Sequence, residues 1–189
     1  MSAGLARNWW AIGLRGIATL LFGFVVLALP SPSIASLVLL FTAYVTADGV
    51  FAIVAGWRAT SQIERWWTLI IEGVTNLAVA AAVLVWAALA VVPLVSLASG
   101  WAIVTGALML AAAHRLSGPH GRWLLALGGG LSAGWGVLAL ALAPSADGDP
   151  KTTELWLIAY ALVFGVTLLA LTARLRRRHR RPAQAPRPA

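Results

Sequence analysis

"AYVTADGVFAIVAGWR" (43–58) returns twice in the chain, as "GWAIVTGALMLAAAHR" (100–115) and "AYALVFGVTLLALTAR" (159–174). Tyr44, Trp101 and Tyr160 align, as do Gly49, Gly106 and Gly165. Each glycine is followed nine residues later by arginine: Arg58, Arg115 or Arg174. A second phrase precedes each copy: "NWWAIGLRG" (8–16), "RWWTLIIEG" (65–73) and "GRWLLALGG" (121–129). Here Trp10, Trp67 and Trp123 fall in register, and so do Gly16, Gly73 and Gly129. Apolar segments resemble one another easily, but Trp, Gly and Arg matching in order across three copies mark an internal repeat. The period is 57 residues between the first two copies and drifts in the third, where the loop from Pro144 to Glu154 is longer.

Of the 189 residues, 60% are hydrophobic and 11% charged, against roughly 25% charged in soluble domains. With a mean hydropathy of +0.86, no water-soluble fold of this size could hide the apolar surface, so the solvent is lipid. Each copy holds two apolar stretches parted by a hinge: "LPSPS" (29–33), the weaker "AVVP" (90–93) and "APSADGDPKTTE" (143–154). Six helices are expected at about 9–29, 34–57, 66–86, 90–113, 122–142 and 153–174, near the roughly 20 residues a hydrocarbon layer requires. The first is too long for the apolar core of a signal peptide and contains Arg15, so it reads as a retained helix. Alternation is too poor for a β-barrel. The expected fold is all-α: a polytopic membrane protein whose six transmembrane helices form three repeated hairpins. The repeats span about 8–58, 65–115 and 121–174 of a single domain, 1–178.

Charge orients this domain. Arg7, Arg58, Arg65, Arg115, Arg122 and the run "RLRRRHRR" share one side. Asp147, Asp149 and Glu154, against Lys151 alone, occupy the other. The positive-inside rule then puts both termini in the cytoplasm of a plasma-membrane protein. Trp9, Trp10, Trp57, Trp66, Trp67 and Trp123 gather at the basic boundary and read as an interfacial belt. Of the 14 basic residues behind the net charge of +8, seven lie between Arg174 and Arg187. A basic segment after an apolar helix reads as a topology signal and a contact for anionic lipid headgroups, not as a nucleic-acid site. Residues 179–189, basic and proline-rich, are expected to be a disordered tail.

In lipid, small residues must let helix backbones approach. The aligned glycines each have a small partner seven residues on, which marks one face. The expected packing residues are Gly16, Gly23, Gly49, Gly56, Gly73, Gly106, Gly129, Gly136 and Gly165, with Ala80, Ala113 and Thr172 completing the pairs. Gly130 and Gly134 add a GxxxG pair expected to pack as well.

Three ionisable residues interrupt the apolar helices. At one repeat position the copies read Arg15, Glu72 and Gly128, and at another Asp48, Thr105 and Phe164. A charge within the membrane costs about 2.5–3.5 kcal/mol even on the mildest scale, which pairing reduces. At about 1.5 Å per residue, Arg15 and Glu72 lie about 8 Å beyond the aligned tryptophans, and Asp48 about 15 Å from Arg58. An arginine side chain spans that difference. The expectation is a buried ion cluster with Arg15 between Asp48 and Glu72. In the alternative, Arg15 and Glu72 snorkel separately to the interface, which leaves the short, deeper Asp48 unserved. A proton or substrate relay is a third reading.

Other chemistry is missing. There is no cysteine, and so no disulfide, thiolate metal site or cysteine nucleophile. His114, His120 and His179 have no metal-ligand spacing, and no nucleotide-binding glycine loop is present. Catalytic residues, cofactor sites and metal sites are all expected to be absent, and the chain is not expected to be an enzyme.

The pattern of aromatic pair, glycine, then "AY…DG", "TG" or "FG" and arginine resembles the HdeD family of acid-resistance membrane proteins over about residues 8–178. "AYVTADGVFAIVAGWRA" and "GWAIVTGALMLAAAHRL" carry it most specifically. The chain departs from the pattern at "WAALAVVP" (86–93) and in the long acidic hinge of the third unit. The resemblance implies a six-helix bundle in the bacterial inner membrane and a role in acid or envelope stress. It carries over no catalytic residues. Two functions are therefore expected: a non-enzymatic stress-linked membrane protein, or a small proton or solute channel or transporter using Arg15, Asp48 and Glu72. Membrane lipids are the expected partners, with a second copy or another membrane protein left open.

Overall fold

A computed structural model describes residues 9–59, 66–88, 94–114, 119–142 and 149–179. They form six α-helices: α1 (Trp9–Leu27), α2 (Ile34–Ala59), α3 (Trp66–Ala88), α4 (Leu94–His114), α5 (Pro119–Leu142) and α6 (Pro150–His179). The protein is thus all-helical among the described residues. By length and composition, α2, α4, α5 and α6 are long and apolar enough to cross a membrane. The apolar runs of α1 and α3, Ile12–Leu27 and Leu69–Val85, are shorter, and each includes an ionisable residue, Arg15 or Glu72. The hinge expected at 90–93 and residues 180–189 of the expected tail lie outside the described residues.

Local chemistry sets two helix starts. Ser33 caps α2: its Oγ accepts from the Ser36 amide at 3.1 Å, while the Ser36 Oγ accepts from the Ser33 amide at 3.0 Å. This is a capping box with serine in the return position. Asp149 caps α6 ahead of Pro150, a residue suited to the first helical position. Its carboxylate accepts from the Thr152 amide at 2.9 Å and from the Thr152 hydroxyl. The cap starts α6 three residues earlier than hydropathy suggests. At the other end, α6 runs past Arg174 to His179, because Leu and Arg favour helix and cations favour a helix C-terminus.

The repeat is a unit of sequence but not of packing. The most extensive contacts join α2 to α3, α4 to α5, and α1 to α6, whereas helices of one copy touch less. The two helices of each copy stay in contact, but the tighter seams run between copies. The physical reason is where the aligned glycines face. A Cβ on Gly49 would lie 2.9 Å from the Gly73 carbonyl oxygen, and one on Gly73 would lie 2.6 Å from that of Gly49. Gly106 and Gly129 oppose each other likewise, at 2.5 and 2.7 Å. A Cβ on Gly165 would meet the Gly16 oxygen at 3.3 Å. The second helix of each copy therefore lies against the first helix of the next, and α6 closes the ring on α1.

Further along these seams, a Cβ on Gly23 would meet Ala161 at 2.7 Å, and one on Gly136 the Ser99 oxygen at 2.6 Å. Gly56 is also buried. Gly130 and Gly134 behave differently, since both are exposed with nothing within 4 Å. The α5 seam runs through Gly129 and Gly136, and Gly130 points about 100° away from Gly129 around the helix axis. The GxxxG pair does not pack inside this chain.

The centre is aromatic. Trp101 lies edge-on to Tyr44 and to Tyr160, each at 5.7 Å between centroids. Phe41 and Phe164 are buried beside them. Phe24, Leu39, Val85, Val137 and Val166 face outwards, as suits helices whose outer solvent is hydrocarbon.

Two tests follow from this packing. Gly106→Ala and Gly129→Ala should each destabilise the protein by about 1–3 kcal/mol through overpacking, read as thermal unfolding in detergent. Gly130→Ala and Gly134→Ala should leave the melt unchanged or slightly raised. The Thr152 hydrogen bonds hold the Asp149 carboxyl below its ordinary range. Its capping contribution is therefore complete above about pH 4 and is lost as pH falls through the lowered value. The protection of the Lys151–Thr153 amides, taken relative to their intrinsic exchange rate at each pH, should fall only as pH drops through that lowered value, and should already be lost at neutral pH in Asp149→Ala.

Candidate functional site

Arg15 projects from α1 into the junction with α2 and α3. Its Nη2 donates to Asp48 Oδ2 at 2.7 Å, and its Nη1 donates to Glu72 Oε1. The side chains of Arg15, Asp48 and Glu72 are 15%, 2% and 12% exposed, so all three charges are largely dehydrated. Asp48 Oδ2 also accepts from Asn76 Nδ2 at 2.7 Å, and Asn76 Oδ1 accepts from Trp101 Nε1 at 3.0 Å. One guanidinium thus bridges two carboxylates, and an amide ties one of them to the aromatic centre. Asn76 fits because it lies beside Gly49, where a Cβ would come within 3.1 Å of its own Cβ. Arg15 Nε is buried without an acceptor.

Three residues on the repeat register make one kind of contact, once in each copy. Counting three past the aligned glycines Gly16, Gly73 and Gly129 gives Thr19, Asn76 and Ser132. All three are buried, and each bonds the aligned aromatic of its own copy. The Thr19 and Tyr44 hydroxyls are 2.9 Å apart, Trp101 donates to Asn76, and the Ser132 and Tyr160 hydroxyls are 3.3 Å apart. Thr19 Oγ1 also donates to the Arg15 carbonyl at 2.8 Å, and Ser132 Oγ to that of Ala102 at 2.9 Å. Sequence reasoning gave Ser132 no role and did not connect these three positions. The register already used for the glycines contains the signal.

The third unit has no ions at the equivalent places. Gly128 stands where Arg15 and Glu72 do, and Met109 Cε lies 3.1 Å from where its Cβ would be. Phe164 replaces Asp48 and stacks on Tyr160 at 5.3 Å. Of the aromatic belt, Trp57, Trp67 and Trp123 are exposed and Trp10 is half-buried. Among the described residues, no three His, Cys, Asp or Glu side chains gather as metal ligands would.

Each ion of the triad depends on the others. Removing one partner from a buried ion pair costs about 3–5 kcal/mol, because the remaining charge is left uncompensated. Arg15→Leu should therefore destabilise by about that amount, and Glu72→Gln in the same chain should restore part of it. A double-mutant cycle on detergent melts measures the coupling. Additive losses would show that Arg15 and Glu72 act independently.

Comparison with known families gives a match. The profile described as a short repeat of unknown function (DUF308) matches residues 14–79 and again residues 71–141. The two matches begin 57 residues apart, which is the separation of Arg15 and Glu72. Neither a curated protein nor a solved structure matches the chain.

Proposed function

The chain belongs to the family of short repeats of unknown function (DUF308), and from that premise we propose a six-span, non-enzymatic membrane protein of the HdeD type that acts in acid or envelope stress. The observation that carries this reading is the ion triad. Among the described residues, the ionised groups far from the helix ends are Arg15, Asp48 and Glu72, and they bind one another. Charges arranged in this way support burial in hydrocarbon. They allow α1 and α3 to cross the bilayer beside α6 and α2 despite their shorter apolar runs. One guanidinium engages an oxygen of each acid, an arrangement that supports a structural role over an open pathway.

The proposed location is the bacterial inner membrane with both termini cytoplasmic. Arg58, Arg122 and Arg174 stand at one set of helix ends, while Asp149, Lys151 and Glu154 stand at the other, a distribution that supports this orientation. The C-terminal arginines then meet anionic headgroups.

Three measurements test the proposal. The chain has no cysteine, so Ser31→Cys and Ser145→Cys should both react with an impermeant maleimide added outside spheroplasts, and Ala183→Cys should react only after permeabilisation. Labelling of Ser31 and Ser145 from opposite faces would sink the six-span layout. Reconstituted wild type should pass no more protons than empty liposomes, while a deletion strain loses survival at low pH. Flux that disappears in Asp48→Asn and Glu72→Gln would instead favour the channel or transporter reading.

A further inference from the structure

The charges of the triad do not balance. The first copy supplies a matched cation and anion, Arg15 and Asp48. The second supplies Glu72 without a cation, and carries Thr105 at the position of Asp48. Fully ionised, one guanidinium and two carboxylates sum to one negative charge. The described surroundings offer nothing to cancel it. The ionisable neighbours are Tyr44 of α2 and Tyr160 of α6, and phenols are uncharged at neutral pH. Asn76 of α3 adds an amide and Trp101 of α4 an indole, both neutral. The basic residues of α2, α5 and α6 stand near helix ends.

Hydrocarbon makes that imbalance costly. A buried charge without a partner is neutralised by gaining or losing a proton more readily than it stays bare. Two carboxyls that share a site behave in the same way: they keep one proton, which belongs to the pair. The geometry leaves room for it. Asp48 Oδ2 accepts from both Arg15 and Asn76, and Glu72 Oε1 accepts from Arg15. No described residue donates to Glu72 Oε2, so a proton can sit on the pair without displacing the guanidinium. Water can supply it, because Glu72 lies only about 9 Å along α3 from Trp66, at about 1.5 Å per residue. The triad also crosses a loose seam. α1 touches α2 far less than it touches α6, so the charge balance is felt where two tightly packed helix pairs meet.

We propose that the triad is a binding site for one proton, held on the Asp48–Glu72 pair, so that the cluster is neutral within the bilayer. This rests on the membrane-spanning reading above, because in water both acids would ionise. It yields a counting rule: the protons held equal the buried acids less the buried cations. The test reconstitutes the full chain in vesicles of an ether-linked phosphatidylcholine, which has no ester carbonyl, and records infrared spectra at neutral pH. Wild type should show the carbonyl band of one un-ionised carboxyl per chain, shifted in D2O. Glu72→Gln and Asp48→Asn should each abolish that band, because the remaining acid then pairs with Arg15 as an ion. Arg15→Leu should raise the band about twofold, since two buried acids without a cation both take protons. Should Arg15→Leu fail to fold, the wild type and the two acid variants still decide. A wild type without the band, or a band that either acid substitution leaves in place, overturns the proposal. Maleimide labelling of Ser31→Cys and Ser145→Cys reports the six-span layout separately, so a missing band with that labelling intact refutes the bound proton alone.

Discussion

Hydrocarbon gives helices no reason to meet, because their apolar faces lose nothing by staying in lipid. What joins these helices is backbone contact, possible only where no Cβ intervenes. The three glycine crossings, Gly49 with Gly73, Gly106 with Gly129 and Gly165 with Gly16, supply it. Each brings two axes close enough for dispersion to accumulate over many atom pairs. The remaining contacts depend on that spacing. With the outer pairs drawn tight, Tyr44, Trp101 and Tyr160 converge at the centre, and the polar residues one turn beyond the glycines reach them.

The ion triad is built on this scaffold at one of three equivalent junctions. Its members come from α1, α2 and α3, across the crossing of Gly49 and Gly73. In the third unit Gly128 and Phe164 stand at the charged positions, with Met109 against Gly128 and Tyr160 stacked on Phe164. Replacing a buried ion pair by well-packed apolar groups is often neutral or stabilising, so the third unit indicates that stability alone does not require the ions. Their retention in the first two units is a reason to look for function there.

Much of this was legible in the sequence. Hydropathy and the repeat located six helices to within a few residues, except at α6, where the Asp149 cap and the basic last turns lengthen the helix at both ends. The meeting of Arg15, Asp48 and Glu72 followed from the cost of bare charge in lipid. The pairing of helices did not follow. A helix apolar all round carries no periodic sign of which side faces a neighbour, and glycines mark a seam without naming what lies across it. The same blindness misplaced Gly130 and Gly134, whose spacing suits packing but whose direction does not. Ser132 was overlooked for a different reason: a lone serine in an apolar helix attracts no notice until its counterparts Thr19 and Asn76 are placed beside it.

Ring closure has a consequence for biogenesis. α1 precedes the other five helices in the chain, yet its most extensive partner, α6, follows all of them. Until then the face bearing Gly16, Gly23 and Gly165's future contact is open to lipid or to chaperones, and Arg15 has only α2 and α3 for support. Ring closure therefore waits for α6, and a chain halted before α6 leaves α1 with its main docking face uncovered.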